Sequence, residues 1–170
     1  MKDKWIWSIA EKSEQSRFYR FLLNLILRKA IPFNAPHGFR VYSISKGRVG
    51  VKLPNKRVNR NHVNSIHACV LAALCEYVAG LAVMTLLEPS KYRMVLKSLH
   101  MEYHYRAKGE VHCLYDIDPK KFEQDVILVL DKNDSVFYET ESRATDLDGN
   151  VVCTGRAMWQ IKKWSQVRSK

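Results

Sequence analysis

A single acid interrupts the most apolar stretch of this sequence. Residues 65–87 read SIHACVLAALCEYVAGLAVMTLL, and Glu76 is the one carboxylate among them. An ionised carboxylate in such surroundings costs several kcal/mol unless it is paired, hydrogen-bonded or open to a cavity. Glu76 therefore has either a structural partner, such as a buried Tyr or Asn, or a chemical task as a base or nucleophile. His67 lies nine residues before it, at the head of the same stretch, and Asn61 six residues before His67. Backbone N–H groups at a helix start are unpaired and lie along a favourable dipole. The amides of His67 and Ala68 thus suit an oxyanion or a polarised carbonyl. Asn61, in the preceding loop, can hydrogen-bond a carbonyl or a water. On one helix His67 and Glu76 stand roughly 13 Å apart. One carbonyl cannot touch both, so a site that uses both is expected to be shared between two copies of the chain.

Other groupings offer less. His100, Glu102 and His104 alternate onto one strand face, as metal ligands or as a solvent-facing polar stripe, and the second reading is preferred. His62 and His67 have no third ligand at a recognisable spacing, so no metal site is expected. Cys69 and Cys75 lack a His partner for nucleophilic work. There is no Gly-rich phosphate loop.

The elements that must position these residues follow from periodicity. Ser16–Lys29 is an amphipathic helix, with Phe18, Leu22, Leu25 and Ile26 at helical spacing and Pro32 and Pro36 beyond its end. Residues 39–54 give two short strands joined at Lys46-Gly47, and Asn55–Asn64 is a polar, basic loop. Ser65–Leu87 is a helix apolar all round, with Ser65 as its expected N-cap, and must be buried on nearly every side. Strands then follow over Lys91–Lys108, Glu110–Asp118, Ser135–Asp146 and Val151–Lys163, the last two around the turn Asp148-Gly149-Asn150. A short helix runs from Asp118-Pro119 to about Leu130. An antiparallel sheet wrapped around one apolar helix buries that helix on all sides, which is an α+β hotdog architecture with an extra N-terminal amphipathic helix.

The totals set bounds. The 170 residues suit a single domain, with a helical extension over 1–34, a core over 35–163 and a polar tail at 164–170. Apolar residues make up 46% and charged residues 26%, an ordinary globular mix. The net charge of +11 is localised: residues 1–60 hold fourteen Lys/Arg against three Asp/Glu, and residues 61–170 hold fourteen of each. A basic region of this kind attracts nucleic acid, anionic membrane, an acidic partner or a phosphorylated cofactor, or simply aids solubility. The aromatics do not interleave with Lys/Arg as a nucleic-acid stacking platform requires, so no nucleic acid is expected. The four cysteines form no CxxC pair and three sit in apolar patterns, which fits reduced thiols in the cytoplasm. The apolar run Phe21–Leu27 is too short to span a bilayer and is followed by Arg28-Lys29, so neither a signal peptide nor a transmembrane segment is expected.

The Asn61…His67-Ala68…Glu76 spacing, at the head of an apolar helix, resembles the signature of hotdog-fold acyl-CoA thioesterases of the PaaI and 4-hydroxybenzoyl-CoA types. The likeness extends over the element order from about residue 35 to 163, and is nearest to poorly characterised branches with a Glu-Tyr-x-x-Gly stretch, here Glu76–Gly80. The resemblance implies that Glu76 is the general base or nucleophile, that the Ala68 N–H polarises the thioester carbonyl, that Asn61 holds the carbonyl or the water, and that His67 shapes the loop. Lys56, Arg57 and Arg60 are then candidates for the phosphates of coenzyme A, and Tyr77 for the acyl pocket. Coenzyme A enters as part of the substrate, with no separate cofactor. A homodimer or dimer of dimers is expected. Two departures stand out. The family's Gly after the His is Ala68, and the assisting Ser/Thr falls on Gly80 or Met94, neither with a hydroxyl. They favour the alternative of a non-catalytic acyl-thioester-binding module on the same fold.

Overall fold

The computed structural model describes residues 4–167, with side chains from Ser8 onward. Two N-terminal helices, α1 (Lys4–Gln15) and α2 (Arg17–Ala30), lead into strands β1 (Arg40–Ser45) and β2 (Arg48–Leu53). Helix α3 spans Ala68–Leu86, and strands β3 (Tyr92–Tyr103) and β4 (Val111–Asp116) follow it. Helix α4 (Pro119–Phe122), a π turn over Glu123–Ile127 and α5 (Leu128–Lys132) precede β5 (Ser135–Thr145) and β6 (Val151–Lys163). All six strands form one antiparallel sheet in the order β1-β2-β4-β5-β6-β3. The expected α+β hotdog arrangement is present: α3 packs against β2, β3, β4, β5 and β6.

Burial explains why α3 sits there. Leu74, Val78, Ala82 and Val83 of α3 are fully buried, as are Val49, Val51 and Leu53 of β2, Val111 and Cys113 of β4 and Ile161 of β6. Each large aliphatic side chain so placed contributes about 1.5–3 kcal/mol relative to exposure. By length and composition α3 could cross a membrane, but here the sheet covers most of its apolar surface. Gly155 on β6 permits the close approach, since a Cβ there would lie 2.7 Å from the Cβ of Cys75. Gly47, at φ +80°, turns β1 into β2 at the expected place.

Several boundaries differ from the sequence reading. Helix α1 was not anticipated; it packs on α2 and β1, with Ser13 buried between them. Asn24 ties α2 to the sheet edge: its Oδ1 accepts from Val41 N–H at 2.8 Å and its Nδ2 donates to Val41 O at 2.9 Å. Helix α3 begins at Ala68, capped by His67 and not by Ser65. Ser65 is instead buried, and its hydroxyl donates to Asn61 Oδ1. Strand β3 ends at Tyr103, short of Lys108, because the chain there turns to serve the loop before α3: Arg106 Nη2 donates to Val63 O, and Ile66 N–H to Ala107 O. At the C-terminus, Trp164–Gln166 form a 3-10 turn anchored by Trp164 Nε1–H donating to Pro89 O at 2.8 Å, and the last three residues of the polar tail lie outside the described range.

Candidate functional site

The loop before α3 is built around two asparagines. Asn59 is fully buried; its Nδ2 donates to His37 O and Pro54 O, its Oδ1 meets His37 Nδ1 at 3.0 Å, and its carbonyl accepts the His67 N–H. Asn61 closes the five residues that follow. Its Oδ1 accepts from Val63 N–H, Ser65 N–H and Ser65 Oγ–H at 3.1, 3.1 and 3.2 Å, and Asn64 takes a positive φ of 55° within that turn. The Asn61 oxygen is thus committed to its own loop, and its Nδ2 is the group left to meet a carbonyl or water. Sequence reasoning found Asn61 but missed Asn59, whose role depends on contacts to residues 37 and 54 that no local spacing reveals.

The loop delivers the head of α3 with one amide free. His67 Nδ1 accepts from Cys69 N–H at 3.1 Å, and the His67 carbonyl accepts from Val70 and Leu71. The Ala68 N–H has no acceptor among the described residues, and Ala68 is exposed. Tyr103 Oη–H donates to Ala68 O at 3.1 Å, fixing the helix head against β3. An exposed, dipole-aligned N–H of this kind is suited to a developing oxyanion.

Glu76 lies two turns further along α3. Behind the exposed Ala68, the positions Cys69, Ala72, Ala73 and Glu76 are incompletely buried at i, i+3, i+4 and i+7, so they form a stripe turned away from the sheet, and Met84, Thr85 and Leu86 are incompletely buried at the helix end. The Glu76 carboxylate is partly buried and has no hydrogen-bond or ion-pair partner among the described residues. Burial holds its pKa above the ordinary carboxylate value. Tyr77, one position on, is buried and stacks on Phe39 with ring centroids 5.6 Å apart; burial, then the Glu76 charge, pushes its phenol pKa up.

The basic candidates separate. Lys56 reaches over Gly38 and, with Tyr77, lines an open cavity of about 600 Å³ between α2 and the β1 edge of the sheet. Arg60 turns to Asn55, its Nε–H donating to Asn55 Oδ1 at 2.8 Å, and Arg57 is exposed; neither lines that cavity. The structure therefore gathers Asn61, His67 and Ala68 at the helix head, leaves Glu76 down the stripe, and puts Lys56 and Tyr77 together elsewhere. On the far edge of the sheet, Arg156 donates to Glu102 and Glu141 at 2.9 Å each, and His104 Nε2 meets Thr154 Oγ1 at 3.0 Å, so the His100–His104 stripe is a cross-strand polar ladder.

The comparisons with known proteins agree with this architecture. A family model described as "Domain of unknown function (DUF4442)" matches residues 20–161. No curated protein matches the sequence. Among solved structures, a Pseudomonas aeruginosa protein of unknown function described as a "probable thioesterase" superposes with a TM-score of 0.78 at 23% identity, covering 84% of this chain and 94% of its own. A Haemophilus influenzae thioesterase gives 0.64 at 13% identity, covering 81% and 88%. A mutant thioesterase from Pseudomonas aeruginosa gives 0.65 at 12% identity, covering 82% and 94%. At these identities the likeness is one of fold.

Proposed function

This chain belongs to the DUF4442 family and shares the fold of solved structures described as thioesterases, and on that premise we propose that it hydrolyses an acyl thioester of coenzyme A or of an acyl carrier protein. The observation that carries the proposal is Glu76: a partly buried carboxylate, raised in pKa by burial, with no partner among the described residues and no structural use. A fold gains nothing from such a group, and catalysis does.

In this reading the thioester carbonyl oxygen lies against the free Ala68 N–H, with the Asn61 amide N–H beside it. Glu76 takes a proton from water as the water oxygen bonds to the carbonyl carbon. The C–S bond then breaks and the thiol leaves with that proton. The same carboxylate can instead attack directly, giving a mixed anhydride that water opens. Lys56, Arg57 and Arg60 supply positive charge for the phosphates of the carrier, and Tyr77 a wall for the acyl group. His67 orders the loop and the first turn of α3.

Ala68 and Glu76 are eight residues apart, or about 12 Å along one helix. We therefore place the N–H of one subunit opposite the Glu76 of another, in a homodimer or a dimer of dimers. The twelve-residue edge strand β3, paired only with β6 and carrying exposed Val95 and Leu96, offers a seam for such pairing. Unpaired cysteines suit a reducing compartment such as the cytoplasm.

The test is release of free thiol from a panel of short, long and aromatic acyl-CoA esters by wild type and Glu76→Gln, with the oligomeric state measured in parallel. Turnover in the wild type that collapses in the variant supports the proposal; full activity in a monomer refutes the shared site. The second reading, a non-catalytic acyl-thioester binder, draws on Ala68 in place of glycine and on the absence of a hydroxyl at Gly80 and Met94. Saturable binding without hydrolysis selects it.

A further inference from the structure

The cavity beneath α2 contains Lys56 and Tyr77, named above for the carrier phosphates and the acyl wall, but three of its features go beyond that use. Its rim is uniformly cationic: Arg17, Arg20, Arg28, Arg40, Lys52 and Lys56 line it, and among the described residues no acidic one does. Arg20 is held by the carbonyls of Ser13 and Glu14, and Lys52 lies 3.7 Å from Glu110. Arg17, Arg28, Arg40 and Lys56 make no ion pair among the described residues. Its walls are apolar, with Phe21, Leu25 and Leu27 of α2 on one side and Phe39, Val41 and Tyr77 on the other. Phe21 and Leu25 are 63% and 46% exposed, so this wall is open and unfilled by the protein itself.

The third feature is Asn34. It is 8% exposed, lines the cavity, and its side-chain amide makes no hydrogen bond to any described residue. A buried amide left unpaired costs about 1–3 kcal/mol. Yet every side-chain nitrogen or oxygen sealed from the surface has a partner among the described residues. The Asn34 amide is therefore open to the cavity and placed to bond whatever enters it.

We infer that this cavity binds a single-chain amphiphile with an anionic head: a long-chain carboxylate, or the same chain on a phosphate. The chain lies between the α2 wall and Phe39/Tyr77, the head meets the unpaired Arg and Lys side chains, and Asn34 donates to a polar atom of the ligand. Arginine forks suit carboxylate and phosphate alike. The volume of about 600 Å³ falls within the usual range for small-molecule sites. A neutral lipid would leave the four unpaired cations without purpose, a polyphosphate would leave the apolar walls bare, and a second copy of the chain would bring the same positive charge against this face. The inference does not depend on Glu76, which does not line the cavity.

The test is calorimetric titration of the full chain with dodecanoate, dodecyl phosphate, dodecanol and butanoate, alongside sedimentation with anionic and neutral phospholipid vesicles. Dodecanoate or dodecyl phosphate should bind one per chain, with dodecanol and butanoate at least tenfold weaker; which anion is tighter names the head. Arg28→Glu combined with Arg40→Glu, both at exposed positions, should weaken the anion at least tenfold with an unchanged melting temperature. Asn34→Ala should weaken it severalfold. Glu76→Gln should bind as the wild type does. Equal affinity for dodecanol, indifference to the double charge reversal, or loss of binding in Glu76→Gln would each overturn the assignment. So would binding to anionic vesicles with none to dodecanoate or dodecyl phosphate, which would describe a surface contact and not a cavity ligand.

Discussion

Cys75 and Glu76 are neighbours in the chain and live under opposite rules. Cys75 turns to the sheet, where its Sγ lies 3.8 Å from Cys153 Sγ and its carbonyl accepts from Ser142 Oγ–H at 3.2 Å. Around it the polar groups are all spoken for. Trp159 Nε1–H donates to Thr140 Oγ1 at 2.9 Å, and the Thr140 hydroxyl donates to Ala157 O. Glu76 turns the other way, and neither its carboxylate nor the Ala68 N–H at the head of the same helix has a partner among the described residues. Low-dielectric surroundings make an unpaired polar group expensive, so a fold that satisfies every such group on one side of a helix is not careless on the other. The sheet side of α3 holds the molecule together; the open side is where the protein keeps polar groups in reserve.

The strongest way to break this division is to exchange one residue on each side. Glu76→Gln is expected to lower thioester hydrolysis by about 10²- to 10⁴-fold, the usual worth of a positioned acid–base group, with a melting temperature equal to or above that of the wild type. A fall in melting temperature of the size seen for core variants would mean that Glu76 is structural and that the division is wrong. Leu74→Ala, on the sheet side, is expected to do the reverse. It should cost about 2–5 kcal/mol in denaturant unfolding while leaving activity per folded molecule close to that of the wild type.

Asn59→Ala sharpens the comparison by testing what lies between the two sides. The variant strands groups at His37, Pro54 and the loop backbone, so a loss of about 1–3 kcal/mol is expected. Because the Asn59 side chain fixes the backbone whose carbonyl accepts the His67 N–H, hydrolysis should fall further than the stability loss explains. Thiol release measured well below the melting temperature separates the two effects. Activity unchanged in the folded variant would show that the loop does not position the helix head.

How much of this was legible in the sequence follows the same division. The sheet side was readable because it is periodic: alternation in residues 111–117 and 135–145 and the apolar run of 70–83, interrupted only at residue 76, can satisfy burial in few ways. Strand β6 was placed to the residue, over Val151–Lys163. Glu76 stood out because it broke that regularity. What stayed hidden depends on contacts distant in sequence. The capping of α3 went to His67 because Ser65 was drawn to Asn61, and β3 ended early because Arg106 and Ala107 were needed by the loop. The unpaired amide of Asn34 is likewise visible only once residues of α2, β1 and α3 come together with it around one cavity.

The smallest expected effect is the most specific to the open side. In the unfolded chain Glu76 titrates near the ordinary value of about 4.3, and burial raises its pKa in the fold. The folded state therefore holds this proton more tightly. Its contribution to stability is full below the unfolded pKa and is lost as pH rises through the folded one. Melting curves of wild type and Glu76→Gln from pH 4 to 7 should show the wild type losing ground to the variant as pH rises, modestly, because the carboxylate is partly open to water. If Glu76 is the base, kcat/KM should climb through the same raised pKa and level off above it. A wild type that instead gained on the variant with rising pH would reveal a cation paired with the carboxylate in the assembled protein. Glu76 would then belong with the satisfied groups of the sheet side, and the contrast between the two faces of α3 would vanish.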